Sequence, residues 1–346
     1  MKTGLISFVT GFVLLIAAPL SMIAGAWEVY PGQKAQEKNE YRLEGPFTQD
    51  NLSVFLIHGK DKIKGTFLTL QEALVQRKVI VREKREVNEL SIENISGEEV
   101  YVQSGDIVKG GQQDRMLAVD LILPPRSGRI PIAAYCVENG RWEKRGTEEV
   151  TVFNSSSNVV ASREIKLAAK SAESQGEVWR QVAAAQDKLS SNVGGDVRAA
   201  ASPTSFELAL ENRAVQKSAD NYFKALAGII DGKPDVIGYL FAINGKINSA
   251  DVYASSGLFK KLWPKLLKAS AIEAVAEYRR GEKFDQPKAD SVRGFLDYAP
   301  KGTQKQKDVT PRIEMVTRES DGSVFFETRD RAKADTWVHR NYIKKD

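Results

Sequence analysis

The amino-acid sequence predicts an α+β protein, in which an N-terminal β-sandwich or small barrel precedes a helical segment and a C-terminal mixed α/β-hairpin unit. Short β-branched and aliphatic runs, separated by Gly, Pro, Asn or Ser, recur over residues 41–153. Residues 160–230 are instead rich in Ala, Gln, Lys and Glu, a composition typical of helices. Strand patterns then return on both sides of Asn244-Gly245, a dipeptide that favours tight hairpin turns.

The first two segments can be divided into elements from their apolar patterns. The predicted strands are 52–57, 79–81, 90–95, 99–102, 116–123 and 130–137, with a helical turn at 69–74. The polar run 154–158 is interpreted as the end of the β region, and helices are predicted at 159–170 and 175–190. A longer helix follows Pro203, with Thr204 and Glu207 as a capping box. Its core-facing side is predicted from a seven-residue recurrence of Leu208, Val215, Tyr222 and Ile229.

The C-terminal segment begins with a predicted hairpin of strands 236–243 and 246–253. A helix follows over 257–280, and Pro264 is expected to kink or restart it. Residues 282–308 are polar and predicted to be a loop, and the last strands lie near 311–317, 323–328 and 337–343. The predicted domains are therefore a β-rich domain at 27–153, a helical segment at 154–230 and a mixed unit at 231–346.

Residues 1–26 are predicted to be a secretory signal peptide. Lys2 precedes an uncharged apolar stretch at 5–20, and the small residues Ala24 and Ala26 precede the predicted cleavage position. An uncleaved N-terminal anchor is the alternative, although this stretch is shorter than the roughly 20 residues of a usual membrane-spanning helix. We therefore expect an exported protein, periplasmic or extracellular, without a transmembrane span in the mature chain.

Composition excludes several classes of protein. The apolar content of 42% is too high for general disorder, and no three-residue glycine period indicates collagen. Removing the single basic residue of 1–26 leaves 49 basic and 45 acidic residues, a weak and interspersed excess of +4 that does not predict nucleic-acid binding. The single cysteine, Cys136, lies in an apolar strand pattern and is predicted to be a buried structural thiol.

Few residue types for cofactor or metal chemistry are present. The chain has two histidines, of which His58 is expected in a surface loop and His339 in a structural or exposed position. The sequence contains no Walker loop, no G-x-S-x-G motif and no dinucleotide fingerprint, so it predicts no cofactor and no metal.

The densest set of recognition groups lies in two runs, at 104–115 and 138–142. Adjacent glycines permit positive φ angles, and their N–H groups can form an anion-binding nest flanked by basic side chains. An arginine fork and a tryptophan face can add anion pairing and stacking. The alternative is that these glycines form a simple hairpin turn between two strands and bind no anion. The predicted ligand-binding residues are Lys109, Gly110, Gly111, Gln112, Asp114, Arg115, Glu138, Arg141 and Trp142.

Strand alternation adds a prediction about charge. It directs both Arg115 and Glu138 toward apolar interiors, and a buried charge is rarely unpaired, so these two residues are expected to pair. Such a pair is either a structural salt bridge or a ligand-binding charge pair. In a second hypothesis Asp114 or Glu138 is the general base of a hydrolase, with or without a divalent metal.

The run at 101–142 resembles the ARG and rhodanese-phosphatase-superfamily-associated protein domain family. The resemblance depends on Gly105-Asp106, Lys109-Gly110-Gly111-Gln112, Asp114-Arg115, Pro124-Pro125 and Glu138-Asn139-Gly140-Arg141-Trp142. Weaker similarities at 175–179 and 258–267 extend the resemblance over residues 44–280, approximately. The resemblance implies a non-catalytic binding or accessory module whose partner is a small anionic ligand, ADP-ribose-like or other. An envelope scaffold that packs its C-terminal helices on a partner is the remaining alternative.

Overall fold

The computed structural model describes residues 41–86 and 88–345 of the chain. The predicted signal peptide, 1–26, lies outside these residues. Helices and strands are both abundant, and six strands close into a small barrel in the first half of the chain, so the predicted α+β class is confirmed. Within the described residues, no helix has both the length and the apolar character needed to cross a bilayer.

Short strands dominate the first part of the chain. In chain order the elements are β1 (Arg42–Gln49), β2 (Leu52–His58), β3 (Leu68–Thr69), α1 (Leu70–Val75), β4 (Val79–Glu86), β5 (Glu89–Asn94), β6 (Val100–Val102), β7 (Asp106–Gly110), β8 (Arg115–Leu117), β9 (Leu121–Leu123), β10 (Gly128–Cys136) and β11 (Val152–Val160). The barrel has the strand order β10-β5-β4-β11-β7-β8, and β3, β6 and β9 form a separate small sheet.

Two strand predictions in this region were wrong. The predicted strand 116–123 is divided between β8 in the barrel and β9 in the small sheet, so the chain leaves the barrel at that point. The polar run 154–158 does not end the β region, because it lies inside β11, whose backbone pairs with β7. Backbone pairing does not require apolar side chains, which is why composition gave no sign of it.

Four helices follow the barrel. They are α2 (Arg163–Lys170), α3 (Gln175–Val193), α4 (Phe206–Leu210) and α5 (Arg213–Leu226). The long helix predicted after Pro203 is two helices, because Asn212 interrupts it and caps α5 through a hydrogen bond from the Ala214 N–H. The Thr204–Glu207 capping box was wrong as well: Ser205 caps α4, while the Thr204 hydroxyl donates to the Asn139 carbonyl at 2.6 Å.

The C-terminal part completes a large sheet. Its elements are β12 (Val236–Ile243), β13 (Lys246–Tyr253), α6 (Ser256–Ala276), α7 (Ala289–Tyr298), β14 (Thr303–Asp308), β15 (Ile313–Glu319), β16 (Ser323–Asp330) and β17 (Thr336–Lys344). The sheet order is β1-β2-β12-β13-β17-β16-β15-β14. The N-terminal strands β1 and β2 therefore belong to the same sheet as the C-terminal strands, and β2 pairs with β12.

The hairpin through Asn244-Gly245 has the predicted strand bounds. Helix α6 continues through Pro264 and does not restart there. Pro264 lies on the exposed side of the helix. Proline has no N–H to donate to the carbonyl one turn earlier, and on this side water can bind that carbonyl instead. The predicted loop 282–308 was wrong, since it contains α7 and the edge strand β14.

Candidate functional site

The two runs that carry the predicted site residues meet at one end of the barrel. Gly110 and Gly111 have φ angles of +116° and +56°, as expected, and a Cβ at Gly111 would lie 2.3 Å from the Phe153 ring. The Arg141 guanidinium donates to the carbonyls of both glycines, at 3.2 and 3.0 Å. The glycine-rich turn and the segment after β10 are therefore in direct contact.

Two arginines and two carboxylates form what we call the arginine–carboxylate network: Asp114, Glu138, Arg141 and Arg145. Arg141 binds Glu138 through two hydrogen bonds of 2.7 Å, and Arg145 binds Asp114 through two bonds of 2.8 and 2.9 Å. Arg145 also reaches Glu138 at 3.3 Å, and the Asp114 N–H donates to Glu138 at 2.8 Å. Glu138 thus binds both arginines and a backbone N–H, and Asp114 binds Arg145 through two hydrogen bonds.

The network is buried. The side chains of Asp114 and Glu138 are 0% exposed, whereas those of Arg141 and Arg145 are 8% and 5% exposed. Burial alone would raise the pKa of Glu138, but hydrogen bonds from Arg141, Ser202 and the Asp114 N–H lower that pKa below its usual value. A carboxylate stabilised in this way is a poor general base, so the geometry does not favour the hydrolase hypothesis for Glu138.

The anion-binding groups predicted at this turn bind other parts of the protein. The five N–H groups of Arg141 make five hydrogen bonds, to Glu138 twice and to three backbone carbonyls. The Gly110 N–H donates to Asp114 at 2.9 Å, and the Gly111 N–H donates to the Glu149 carbonyl at 3.1 Å. An anion that entered here would have to displace these acceptors.

The other predicted residues do not converge on a common opening. Lys109 binds the Glu211 carboxylate at 2.6 Å, and the Gln112 N–H lies 3.4 Å from Glu83. The Trp142 side chain is 53% exposed at the surface.

The expected pair of Arg115 with Glu138 was wrong. Both side chains are buried as predicted, but Arg115 pairs with Glu83 of β4 at 3.2 Å and also donates to the Cys136 sulfur, while Glu138 binds the two network arginines. Cys136 is buried as predicted, and burial raises the pKa of its thiol to about 11.

Sequence reasoning missed two members of this region. Ser205 donates to Asp114 at 2.7 Å and also caps α4 by accepting from the Leu208 N–H, so the first turn of that helix is attached to the network. Arg145 binds Glu148 three residues later, at 3.0 Å, as well as the network carboxylates. The three-residue spacing of Arg145 and Glu148 could have predicted that these two residues pair. No local pattern could have predicted that Arg145 also binds Asp114 and Glu138.

Both histidines are buried, which corrects the surface prediction for His58. His339 lies between Asp120 at 2.9 Å and Asp251 at 3.0 Å, and we call these three residues the His339 cluster. His58 likewise contacts Glu44 and Asp235, each at 2.9 Å. In the described part of the chain, no group of three or more His, Cys, Asp or Glu side chains is placed to hold a metal ion.

An open cleft lies among α2, α3, α4, α6 and the end of β11. Its volume is about 500 Å³, including the open mouth. Its larger apolar side chains are Val159, Val160, Leu189, Phe206, Leu210 and Ile272. Alanines of α3 and α6 leave space between these two helices. The polar side chains of the lining include Glu273 and the partly exposed ion pair of Lys188 with Glu277. We call this feature the interhelical cleft.

The network and the interhelical cleft are connected through α4. The Ser205–Asp114 hydrogen bond holds the start of this helix, and the Phe206 N–H donates to the Val137 carbonyl at 3.0 Å. Because Phe206 and Leu210 form part of the cleft wall, the network positions that wall on the barrel.

These features define an α+β domain with a buried ion-pair network and an open, largely apolar cleft. The chain belongs to the ARG and Rhodanese-Phosphatase-superfamily-associated Protein domain family, whose profile matches residues 40–343. The predicted resemblance is thereby confirmed, over a longer part of the chain than the sequence motifs covered. Neither a curated protein nor a solved structure matches the chain.

Proposed function

We propose that this chain is an exported, non-catalytic binding module and that its ligand is a small molecule that enters the interhelical cleft. The observation that supports this most directly is the cleft itself. Small-molecule sites are usually concave and largely apolar, with a few polar groups that orient the ligand. The interhelical cleft is open to solvent, has mostly apolar walls and contains a buried carboxyl group, so it has these properties.

The cleft is a better candidate than the turn at 109–115. Ligand binding at the turn would break hydrogen bonds between buried, oppositely charged groups, and an uncompensated buried charge costs several kcal/mol. Binding in the cleft needs no such exchange, because its alanines already leave space between α3 and α6. The network then has a structural role, which is to position α4.

The cleft can be tested with N-phenyl-1-naphthylamine, a neutral probe whose fluorescence rises in apolar surroundings. We expect the chain from residue 27 onward to bind this probe, and Ala184→Phe to weaken binding at least tenfold because the new ring fills the cleft from α3. Fluorescence titration measures both affinities.

Ala183→Phe is the matched control. Ala183 is the preceding residue of α3 but is exposed and does not line the cleft, so the same ring should leave probe affinity unchanged. If the wild-type chain does not bind the probe, or if both variants weaken binding equally, the cleft is not the ligand site.

The proposal of export depends on the pattern of residues 1–26. When the full chain is produced in a bacterium with a general secretory pathway, we expect an exported product that begins at Trp27, as measured by intact mass and N-terminal sequencing. An exported product that retains residue 1 would favour the membrane anchor, and a chain that stays in the cytoplasm would contradict export.

A further inference from the structure

Glu273 is the buried polar group of the interhelical cleft. It lies on α6, is 8% exposed and lines the cleft together with apolar residues. Within the described residues, its hydrogen-bond donors are uncharged groups: the Asn248 side-chain amide at 2.6 Å and the Arg163 backbone N–H at 3.3 Å. The second of these bonds is long, so one carboxyl oxygen can accept a stronger donor.

The other charged groups at the cleft already have partners. Glu164 accepts hydrogen bonds from the Arg163 guanidinium at 2.6 and 2.9 Å. Glu277 forms an ion pair with Lys188 at 2.5 Å. Among the described charged side chains that line the cleft, Glu273 is therefore the carboxyl group without an ion-pair partner, and it favours a positively charged ligand over an anion.

We propose that the interhelical cleft binds an organic cation, an apolar molecule with a primary ammonium group that forms an ion pair with Glu273. This inference rests on the proposed function, because it assumes that the cleft is a ligand site. The apolar body of the ligand would contact the side chains of α3, α4 and α6. Its ammonium would supply Glu273 with the charged donor that the protein does not provide there, and charge-assisted hydrogen bonds are stronger than neutral ones.

The titration of Glu273 agrees with this assignment. Burial, followed by the nearby Glu164 carboxylate, raises the pKa of Glu273 to about 7, although Asn248, Arg163 and Lys166 act in the opposite direction. The pair of Lys188 and Glu277 lines the same cleft, from α3 and from the residue that follows α6. Because Glu273 must be ionised to pair with an ammonium, amine affinity should rise as the pH increases from 6 to 8.

Three probes with one skeleton separate charge from apolar contact: 3-phenylpropylamine, 3-phenylpropan-1-ol and 3-phenylpropionate. Titration calorimetry of the chain from residue 27 onward at pH 8 should show the amine binding at least tenfold more tightly than the alcohol. The carboxylate should bind most weakly, because the ionised Glu273 would repel it. Equal affinity for the amine and the alcohol, or preference for the carboxylate, would overturn the inference.

Glu273→Gln should remove the preference for the amine over the alcohol. Glu277→Gln is the control, because it removes a cleft carboxylate that is already paired with Lys188, and the amine preference should persist. Glu273→Gln is expected to fold, since a neutral amide replaces a carboxyl whose raised pKa indicates an unfavourable buried charge.

The outcomes separate the two proposals. If neither the phenylpropyl probes nor neutral N-phenyl-1-naphthylamine bind, the proposed function fails and the ligand class fails with it. If the neutral probe binds and Ala184→Phe blocks it, but the amine has no advantage that depends on Glu273, only the ligand class is wrong.

Discussion

Replacing Arg145 with methionine is expected to lower the free energy of unfolding by about 3–5 kcal/mol, the usual cost of removing one partner from a buried ion pair. Arg145 makes both charged hydrogen bonds to Asp114 and also contacts Glu138 and Glu148. Burial alone would lower the pKa of Arg145, but the hydrogen bonds and charge of Asp114 raise it instead. Methionine preserves most of the side-chain volume, so the loss reports mainly on charge.

Urea unfolding of the chain from residue 27 onward measures this loss. Arg129→Met is the matched control, since Arg129 also belongs to the barrel region but its side chain is 68% exposed and lies 3.9 Å from Glu93. We expect this control to leave the unfolding midpoint nearly unchanged. Similar losses for the two variants would contradict the structural role of the network.

The buried charges at this end of the barrel also illustrate what strand alternation can and cannot predict. The two-residue period of a strand predicted that Arg115 and Glu138 are buried, and both are, but Asp114 and Val137 on the opposite faces are buried as well. It could not predict their partners, because ion pairing depends on how separate strands align. Glu83 reaches Arg115 from β4, close to a register shift between Glu83 and Glu86, and such irregularities change which side chains meet.

The fold could be predicted where apolar residues form a pattern. The hairpin at Asn244-Gly245 and the buried Val215 and Tyr222 of α5 follow directly from such patterns. Strand β14 has six exposed residues, so it lacks the alternation by which strands are recognised. Helix α7 contains a helical pattern, Val292 with Phe295 and Leu296, but it spans only ten residues within a stretch whose polar composition is typical of a loop.

The interhelical cleft could not be predicted from the sequence. It depends on the relative positions of α2, α3, α4 and α6, and those positions result from contacts between residues far apart in the chain. Local patterns indicate which face of a helix is apolar. They do not indicate whether another element fills the space beside that face. The alanines of α3 contribute to the composition that predicts a helix there, and nothing in that composition indicates that they also line a cleft.

Replacing His339 with leucine is expected to lower the free energy of unfolding by a similarly large amount, about 3–5 kcal/mol near pH 6. In the His339 cluster the ring lies between the carboxylates of Asp120 and Asp251, whose side chains are 5% and 1% exposed. Burial disfavours a charged imidazole, but the two aspartates outweigh this effect and raise the pKa of His339. Leucine would leave both carboxylates buried without the cation between them.

The loss should depend on pH in a defined direction. The pKa of His339 is raised, so its contribution to stability is complete below its unfolded value of about 6.5 and decreases as the pH rises through the folded value. The aspartates have lowered pKa values, because His339 and nearby lysines outweigh burial, so their contribution decreases as the pH falls below about 4. The difference between wild type and His339→Leu should therefore be largest between about pH 4 and 6.5.

His58→Leu is the matched control for this prediction. His58 also contacts two carboxylates at 2.9 Å and is itself buried, but the side chains of Glu44 and Asp235 are 34% and 49% exposed. Water can solvate these carboxylates once the ring is gone, so we expect a clearly smaller loss than for His339→Leu. If urea unfolding at pH 6 gives equal losses, desolvation of the carboxylates is not what makes the His339 cluster important, and loss of ring packing becomes the better explanation.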